Sequence, residues 1–178
     1  MGNKGQKYER TRHNLAWMML EKLSYYDHLV WNTKFKAEYA QHHGNEQLII
    51  LKPQTLMNNS GQSVSAAMSF YKIETDSLLV IHDDLELPFG TVQFKKGGGA
   101  GGHNGLRSIT NLCGSPEFFR LRMGISRPPA GRDVSSWVLS RFSPEDEAVL
   151  DDYCRLAAGI FETAADGGII PGPKIKLL

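Results

Sequence analysis

Two short apolar runs constrain the fold of this chain more than any other feature. Residues 48–51 are all large and aliphatic, and so are residues 78–81, which lead directly into the polar triplet at residues 82–84. Apolar runs of this length between polar segments are typical of strands buried in a domain core. Such strands need helices to cover them, so the two runs favour a layered domain with helices packed on a sheet.

Helical and strand patterns alternate along the rest of the chain. Apolar spacing predicts three helices and two further strands, in chain order at residues 15–23, 63–71, 91–94, 105–112 and 119–125. Ser143 and Pro144, followed by acidic residues, predict the start of a long helix. The 178 residues fit one domain, and the alternation predicts an α/β fold with a mixed β-sheet flanked by helices.

The segment from residue 95 to residue 106 is the strongest sign of a binding site. Lys95 and Lys96 precede five glycines in six residues, and the run ends at His103 and Asn104. Glycine lets a backbone take positive φ and approach a ligand closely, and lysines beside such a loop favour an anionic ligand such as phosphate. We interpret the segment as a ligand-binding loop, with a mobile linker as the alternative.

A dinucleotide-binding fingerprint is a second alternative for this loop. Gly97, Gly99 and Gly102 match the pattern G-x-G-x-x-G after a strand-like stretch. The fingerprint belongs in the first βα turn of its domain, however, and this match lies past the middle of the chain. A Walker A loop does not fit, because its lysine follows the glycines, whereas Lys95 and Lys96 precede them.

The distribution of charge favours a polyanionic ligand. The formal net charge is only +1, but residues 91–142 carry eight basic side chains against two acidic ones, Glu117 and Asp133. Such an asymmetry gives one part of the surface a positive field. An ordinary solvated surface is the alternative, and the position of the basic excess around the glycine loop favours the polyanion.

Composition bounds the class and the compartment of the protein. No apolar run approaches the length of a membrane span, and the first residues lack the apolar core of a signal peptide. Cys113 and Cys154 do not have a metal-binding spacing, which predicts free thiols in a reducing compartment. We therefore expect a cytoplasmic protein that has no membrane contact.

Histidine, aspartate and asparagine make up the polar clusters near the predicted strand and helix ends. Together these residue types supply a histidine general base, a carboxylate that orients it, and amides that hold a carbonyl-rich substrate. Each residue alone could instead satisfy nearby backbone groups, and Asn14 could simply cap the helix predicted at Leu15. Residues 82–84 do not favour a metal site, because adjacent side chains seldom converge on one ion.

Five motifs in this order resemble those of bacterial peptidyl-tRNA hydrolases. The resemblance runs from Gly2 to about Phe161, and its motifs lie at residues 11–14, 53–61, 82–85, 95–106 and 120–125. It implies the fold of that family and hydrolysis of the ester that joins a peptide to the 3′ ribose of tRNA. It also implies peptidyl-tRNA as the partner and the use of no metal and no organic cofactor. We further expect the protein to be a monomer.

The resemblance implies roles for nine residues. His13 matches the base that activates the attacking water, and Asp83 matches the carboxylate that supports this base. The other matches are to groups that hold the substrate: Asn58 and Asn104 near the scissile ester, Tyr8 and Leu56 at the tRNA 3′ end, Asn3 to distinguish a blocked from a free amino group, and Lys95 and Arg122 at the tRNA 5′ phosphate. The family often has an aromatic residue in the place of Leu56.

The match breaks at both ends of the chain. The family begins with an apolar strand that feeds a G-x-x-N-P-G turn, whereas this chain starts inside that turn, with Lys4 in the place of the usual proline. We therefore expect an interior strand to be missing, its neighbours to have open edges, and solubility to be poor. We assign residues 1–165 to the domain and predict a disordered tail at residues 166–178.

Two other functions remain open at this point. A non-catalytic RNA-binding relative, such as an organellar splicing factor, could use the same fold. The presence of His13, Asp83, Asn58 and Asn104 together favours the enzyme. A nucleotide-binding enzyme rests on the glycine fingerprint alone.

Overall fold

The computed structural model describes residues 1–45, 47–167 and 175–176. Within these residues the chain forms seven strands, β1 (Asn32–Lys34), β2 (Ala37–His43), β3 (Gln47–Pro53), β4 (Leu79–Asp84), β5 (Thr91–Lys96), β6 (Phe119–Gly124) and β7 (Ile175–Lys176). The same residues form five α-helices, α1 (Leu15–Leu20), α2 (Ser60–Tyr71), α3 (Asn104–Cys113), α4 (Val134–Val138) and α5 (Pro144–Gly167). Short 3-10 turns at Arg12–Asn14 and Met57–Asn59 lead into α1 and α2.

The strands form two sheets. The first is antiparallel, with the order β1-β2-β3. The second has the order β4-β6-β5-β7, with β4 parallel to β6 and the other pairs antiparallel. The predicted α/β class is confirmed, and the mixed sheet expected from the sequence corresponds to the second of the two sheets.

Strand β3 of the first sheet and strand β4 of the second sheet lie on either side of a groove. Residues 47–51 and 77–81 line a mainly apolar groove of about 610 Å³ between these strands. Among the described residues, β3 pairs only with β2 and β4 only with β6, so each has an open edge. The amino nitrogen of Met1 lies against the groove and donates to the carbonyl oxygen of Ile81 at 2.6 Å. The poor solubility that we infer from these edges stays a prediction.

Helices pack against both faces of the second sheet. On one face, α1 and α5 enclose a core that includes Leu15, Met19, Leu121, Met123 and Tyr153. On the other face, α2 and α3 enclose a smaller core that includes Met57, Val64, Leu106, Ile109 and Phe118. The two cores hold β4 and the start of α3 in place.

A close approach of α2 and α3 depends on Gly61. The backbone nitrogen of Gly61 donates to Ser108 Oγ at 3.0 Å. A Cβ atom at this position would lie 2.2 Å from the carbonyl oxygen of Ser108, which is backbone and cannot move aside alone. Because Asn58 precedes α2 and Asn104 begins α3, this contact also sets the spacing of two predicted substrate amides.

We expect Gly61→Ala to destabilise the protein by roughly 1–3 kcal/mol, because the added methyl group forces α2 and α3 apart. Thermal and urea unfolding monitored by circular dichroism measure the change. The matched control is Ser69→Ala, which adds an alanine to the exposed side of the same helix. Equal unfolding curves for Gly61→Ala and the unsubstituted protein would contradict the close contact.

The C-terminal part of the described chain confirms one sequence expectation. Ser143 caps α5 as predicted, since its Oγ accepts from the Asp146 backbone nitrogen at 3.1 Å. Most of the predicted tail, residues 168–174 and 177–178, lies outside the described residues, and Ile175–Lys176 pairs with β5. The division at residue 165 therefore stays a prediction. In the described chain, no helix has the length and apolarity that a membrane span requires.

Candidate active site

One cleft contains all nine residues that the sequence singles out. It has a volume of about 980 Å³ and lies at the end of β4 where the polar triplet is found. Its lining includes Asn3, Tyr8, His13, Leu56, Asn58, Asp83, Lys95, Asn104 and Arg122. The fold thus brings together side chains from distant segments of the chain.

Three elements position the polar residues at the base of the cleft. His13 lies in the turn before α1, Asp83 lies near the end of β4, and His103 is the N-cap residue of α3. The turn that carries His13 is anchored by the buried side chain of Arg12, whose guanidinium lies 3.5 Å from the centre of the Trp137 ring. The packing of Arg12 therefore anchors the turn in which His13 lies.

The carboxylate of Asp83 lies between two imidazole rings. His13 Nδ1 is 2.9 Å from each carboxylate oxygen of Asp83, and His103 Nε2 is 3.1 Å from Oδ1. On the other side of its ring, His103 Nδ1 accepts from the backbone nitrogens of Gly105 (3.1 Å) and Leu106 (3.4 Å). A ring nitrogen that accepts from N–H groups has no proton, so neutral His103 carries its proton on Nε2 and donates it to Asp83.

The tautomer of His13 is fixed by its contact with Asp83. An ionised carboxylate only accepts hydrogen bonds, so the proton of neutral His13 lies on Nδ1, which donates to Asp83. The lone pair is then on Nε2, and the His13 side chain is 12% exposed in the lining of the cleft. An unprotonated Nε2 on a ring that lines a cleft is the arrangement that a general base requires.

Asp83 stays ionised although it is buried. Burial by itself would raise the pKa of Asp83, but electrostatic attraction and hydrogen bonds from His13 and His103 outweigh burial and hold the pKa well below its usual value. The carboxylate therefore keeps accepting from both histidines throughout the neutral pH range.

His82 supports the cluster from within the core. It is only 2% exposed, its Nδ1 donates to the backbone oxygen of Asp83 at 2.8 Å, and its ring lies edge-on to His103 with centroids 5.3 Å apart. Burial, together with repulsion from His103, lowers the pKa of His82 to about 3. His82 is therefore neutral at pH 7 and adds no positive charge next to Asp83.

This lowered pKa predicts a pH dependence of stability. Below pH 6.5 the unfolded chain protonates His82 and the folded protein does not, so the free energy of unfolding decreases as the pH falls from 6.5 towards 3. Asp83 is an acid whose pKa is lowered in the folded protein, so its contribution to stability is lost only as the pH falls below about 4. We expect His82→Asn, which can still donate to the Asp83 backbone oxygen, to flatten the dependence between pH 4.5 and 6.5.

Urea unfolding at several pH values measures this slope, and the slope is informative even if His82→Asn lowers stability at pH 7. His43→Asn removes an exposed histidine of β2 and serves as the matched control. Parallel curves for His82→Asn and the unsubstituted protein would refute the assignment of a buried neutral imidazole.

Asn3 and Asn14 form a buried pair next to His13. The Asn3 backbone nitrogen donates to Asn14 Oδ1 at 2.8 Å, and Asn14 Nδ2 donates to the Asn3 carbonyl oxygen at 2.9 Å. The Met57 backbone nitrogen donates to Asn3 Oδ1 at 2.8 Å. The alternative that Asn14 caps α1 is wrong, because its side chain makes no capping bond and is taken up by Asn3 instead.

Asn58 and Asn104 present exposed amides to the cleft. Asn104 Oδ1 accepts from the Arg107 guanidinium, which leaves its amide nitrogen as the free donor. Tyr8 and Leu56 lie farther out, and Leu56 is 51% exposed. An exposed leucine at a cleft wall offers apolar contact to a ligand but no ring for stacking.

Lys95 and Arg122 are the two predicted phosphate ligands, and their side chains differ in how firmly other residues hold them. Lys95 is exposed on β5. Arg122 Nε donates to Asp84 Oδ2 at 2.7 Å and its Nη1 donates to Gln93 at 2.6 Å, which fixes the guanidinium at the cleft wall. Its remaining N–H groups can reach a ligand only from that fixed position.

Some of the basic residues between 91 and 142 make contacts within the protein. Arg120 is only 3% exposed and donates to the carbonyl oxygens of Gly98 and Gly99, the latter at 2.7 Å. Arg127 pairs with Glu86. Pairing with Glu86 offsets the charge of Arg127, while the buried Arg120 guanidinium shapes the glycine loop.

The topology excludes the nucleotide-binding alternative for this loop. The dinucleotide fingerprint requires a parallel βαβ unit, but β5 and β6, the strands before and after α3, are antiparallel. That alternative is wrong. The linker alternative is also unnecessary, since Arg120 anchors the loop and His103 ends it with defined hydrogen bonds.

His13, Asp83 and His103 are also the residues that could hold a metal ion. Among the described residues, they offer ligand atoms within 4.8 Å of one another. A neutral histidine that binds a metal through Nε2 carries its proton on Nδ1, but His103 Nδ1 accepts from two backbone N–H groups. The donor set therefore fits a hydrogen-bonded chain better than a metal site.

Sequence reasoning gave His103 no role of its own. It identified the residue as the end of the glycine loop, but the link between α3 and Asp83 depends on tertiary structure. The one local signal was the position of His103 directly before a predicted helix, where a capping group is expected.

The fold and the cleft define an α/β domain with a histidine–carboxylate pair under a partly basic wall. The sequence profile of the peptidyl-tRNA hydrolase family matches residues 1–171. The chain belongs to this family.

Individual relatives agree with this assignment. The chain is 50% identical over 167 residues to the peptidyl-tRNA hydrolase of Geotalea uraniireducens, covering 91% of this chain and 84% of the relative. It is 41% identical over 173 residues to that of Deinococcus deserti, covering 95% and 79%. The crystal structure of peptidyl-tRNA hydrolase from Acinetobacter baumannii superimposes with a TM-score of 0.86 at 33% identity, covering 94% of this chain and 87% of that one.

Proposed function

We propose that this protein hydrolyses the ester bond between the peptide and the 3′ ribose of peptidyl-tRNA. The observation that carries the proposal is the orientation of His13, whose Nδ1 is held by Asp83 while its ring lines the cleft. Membership of the peptidyl-tRNA hydrolase family supports the substrate. We also propose that it acts as a monomer in the cytoplasm, a reducing compartment in which the free thiols of Cys113 and Cys154 would persist.

The chemistry follows from the tautomer of His13. Its Nε2 takes a proton from water, and the water oxygen attacks the ester carbonyl carbon. Asp83 stabilises the imidazolium that forms. When the tetrahedral intermediate collapses, the proton moves from Nε2 to the leaving 3′ oxygen of the ribose, which frees the tRNA and the peptide acid.

The asparagines suit the substrate because their amides both donate and accept. The free amide nitrogen of Asn104 and the exposed amide of Asn58 can donate to the carbonyl oxygen as negative charge develops on it. Asn3 lies deeper, fixed by Met57, and lines the cleft where the blocked amino group of the substrate is expected. Tyr8 and Leu56 lie farther out and provide contacts for the 3′ end of the tRNA.

Lys95 is the most accessible of the proposed phosphate contacts. We expect Lys95→Ala to raise KM several-fold with little change in kcat, because a phosphate contact positions the RNA and does not act on the ester. The slope of log KM against log salt should decrease by roughly 0.7–0.9, the value for one lost phosphate contact.

Steady-state kinetics at several salt concentrations measure both effects of Lys95→Ala. Lys96→Ala is the matched control, because this neighbouring exposed lysine lies outside the cleft, with its Nζ 5.0 Å from the centre of the Phe119 ring. An unchanged salt slope in Lys95→Ala would remove this residue from the tRNA contact.

The direct experiment compares N-acetyl-aminoacyl-tRNA with unblocked aminoacyl-tRNA. Cleavage of the blocked substrate alone is expected, since the unblocked one lacks the amide that the asparagines recognise. If the folded protein binds tRNA but cleaves neither substrate, the proposal fails and the non-catalytic RNA-binding alternative replaces it.

A further inference from the structure

His103 connects two parts of the site that the sequence keeps separate. Its Nδ1 accepts from the backbone of Gly105 and Leu106 at the start of α3, and its Nε2 donates to Asp83 Oδ1. The ring is only partly accessible, with 10% of the side chain exposed. One imidazole therefore joins the glycine loop and the helix that carries Asn104 to the carboxylate beneath His13.

The two contacts of His103 make it a donor that cannot change its tautomer. If its proton moved to Nδ1, this N–H would point at the N–H groups of Gly105 and Leu106, and two donors would then face each other. Asp83 Oδ1 would also lose the hydrogen bond from His103 Nε2. Protonating both nitrogens would break the same cap. His103 thus always presents an N–H to Asp83 while α3 is folded.

A buried carboxylate with one donor is free to rotate and is poorly satisfied. Asp83 is 3% exposed, so water does not readily supply the missing bond. Both of its oxygens lie 2.9 Å from His13 Nδ1, and only the His103 contact distinguishes Oδ1 from Oδ2. The orientation of the carboxylate, and through it that of the His13 ring, therefore depends on His103.

We propose that His103 is a positioning residue that fixes Asp83, and hence His13, in the arrangement that the hydrolysis needs. The inference rests on the proposed function for its kinetic consequence, but its structural part can be tested without any reaction. His103 acts through Asp83, and its cap on α3 is a separate contribution to stability.

Two substitutions separate the cap from the contact with Asp83. In His103→Asn, a short amide oxygen can still cap α3 but cannot reach Asp83. In His103→Gln, the longer amide can donate to Asp83 as Nε2 does, while the cap is lost. We expect kcat to fall roughly tenfold or more in His103→Asn, a part of the 10²–10⁴ that a positioned base contributes. In His103→Gln, kcat should remain closer to that of the unsubstituted protein.

The melting temperatures of the two variants should follow the opposite order to their kcat values. His103→Asn should keep the melting temperature, and His103→Gln should lower it, because only the first retains the cap. KM should change little in either variant, since neither removes a group that touches the substrate. If kcat falls in both variants in proportion to the loss of melting temperature, His103 has only a structural role and the proposal is overturned. Unchanged kcat in His103→Asn overturns it as well.

Proton NMR provides a readout that does not depend on activity. The Nδ1 proton of His13, held by a buried carboxylate, should give a downfield resonance in the unsubstituted protein and in His103→Gln. In His103→Asn it should be broadened by exchange with water, and an intact resonance would contradict the proposal. If the NMR pattern is found but the unsubstituted protein does not cleave N-acetyl-aminoacyl-tRNA, the proposed function fails while the positioning role stands.

Discussion

His13→Ala is expected to abolish nearly all hydrolysis of N-acetyl-aminoacyl-tRNA while tRNA binding is retained. A positioned general base contributes roughly 10²–10⁴ to the rate, and His13 provides the unprotonated Nε2 in the cleft. The side chain is 12% exposed, and its removal leaves a space that opens to the cleft, so the fold should survive. The loss should therefore appear in kcat and not in the affinity for tRNA.

Single-turnover kinetics and a tRNA binding titration measure these two quantities. His28→Ala, at an exposed position outside the cleft, is the control for the loss of a histidine in general. Added imidazole should restore part of the rate in His13→Ala, since a free base can enter the space left by the side chain. A His13→Ala variant that keeps a tenth or more of the activity would show that the base is elsewhere.

Asp83→Asn is expected to lower the rate by roughly 10³–10⁴ without unfolding the protein, through a change of tautomer. The carboxylate accepts from two N–H donors, whereas an asparagine offers one acceptor and one donor. His103 cannot change its tautomer, because its Nδ1 accepts from Gly105 and Leu106. The asparagine oxygen therefore goes to His103 and its amide N–H faces His13, which must move its proton to Nε2 and lose its function as a base.

This explanation predicts a partial rescue. When Asp83→Asn is combined with His103→Ala, the asparagine oxygen is free to accept from His13, so the double variant should be more active than Asp83→Asn alone. The same assay and a melting curve for each variant measure the effect. If the double variant melts like Asp83→Asn but is no more active, the change of tautomer alone does not account for the loss.

The local elements were predictable because their signals lie within a few residues. Ser143 and Pro144 mark the start of α5, and the cap predicted at Ser143 is present. The apolar run at residues 78–81 predicts a buried strand, and β4 begins at Leu79 and ends at Asp84. Asn14 shows the limit of such signals, since a local rule predicts a helix cap and a distant residue, Asn3, takes up the side chain.

Charge was less predictable than secondary structure. Counting basic residues treats all arginines alike, but Arg120 is buried on the glycine loop, Arg122 is paired with Asp84, and Arg127 is paired with Glu86. Lys95 remains exposed at the cleft. The sequence shows how many charges a surface could have, whereas packing decides which of them face a ligand.

The sequence by itself determined the α/β class, the family to which the motifs belong, and the candidate residues, because residue type and order along the chain are sufficient for each. Tertiary structure alone decided the division into two sheets and the pairing of His13 with Asp83. It also decided the function of His103 as an obligate donor. Hydrogen bonds between residues 13, 83 and 103 depend on distances and tautomers that arise only when α1, β4 and α3 pack together.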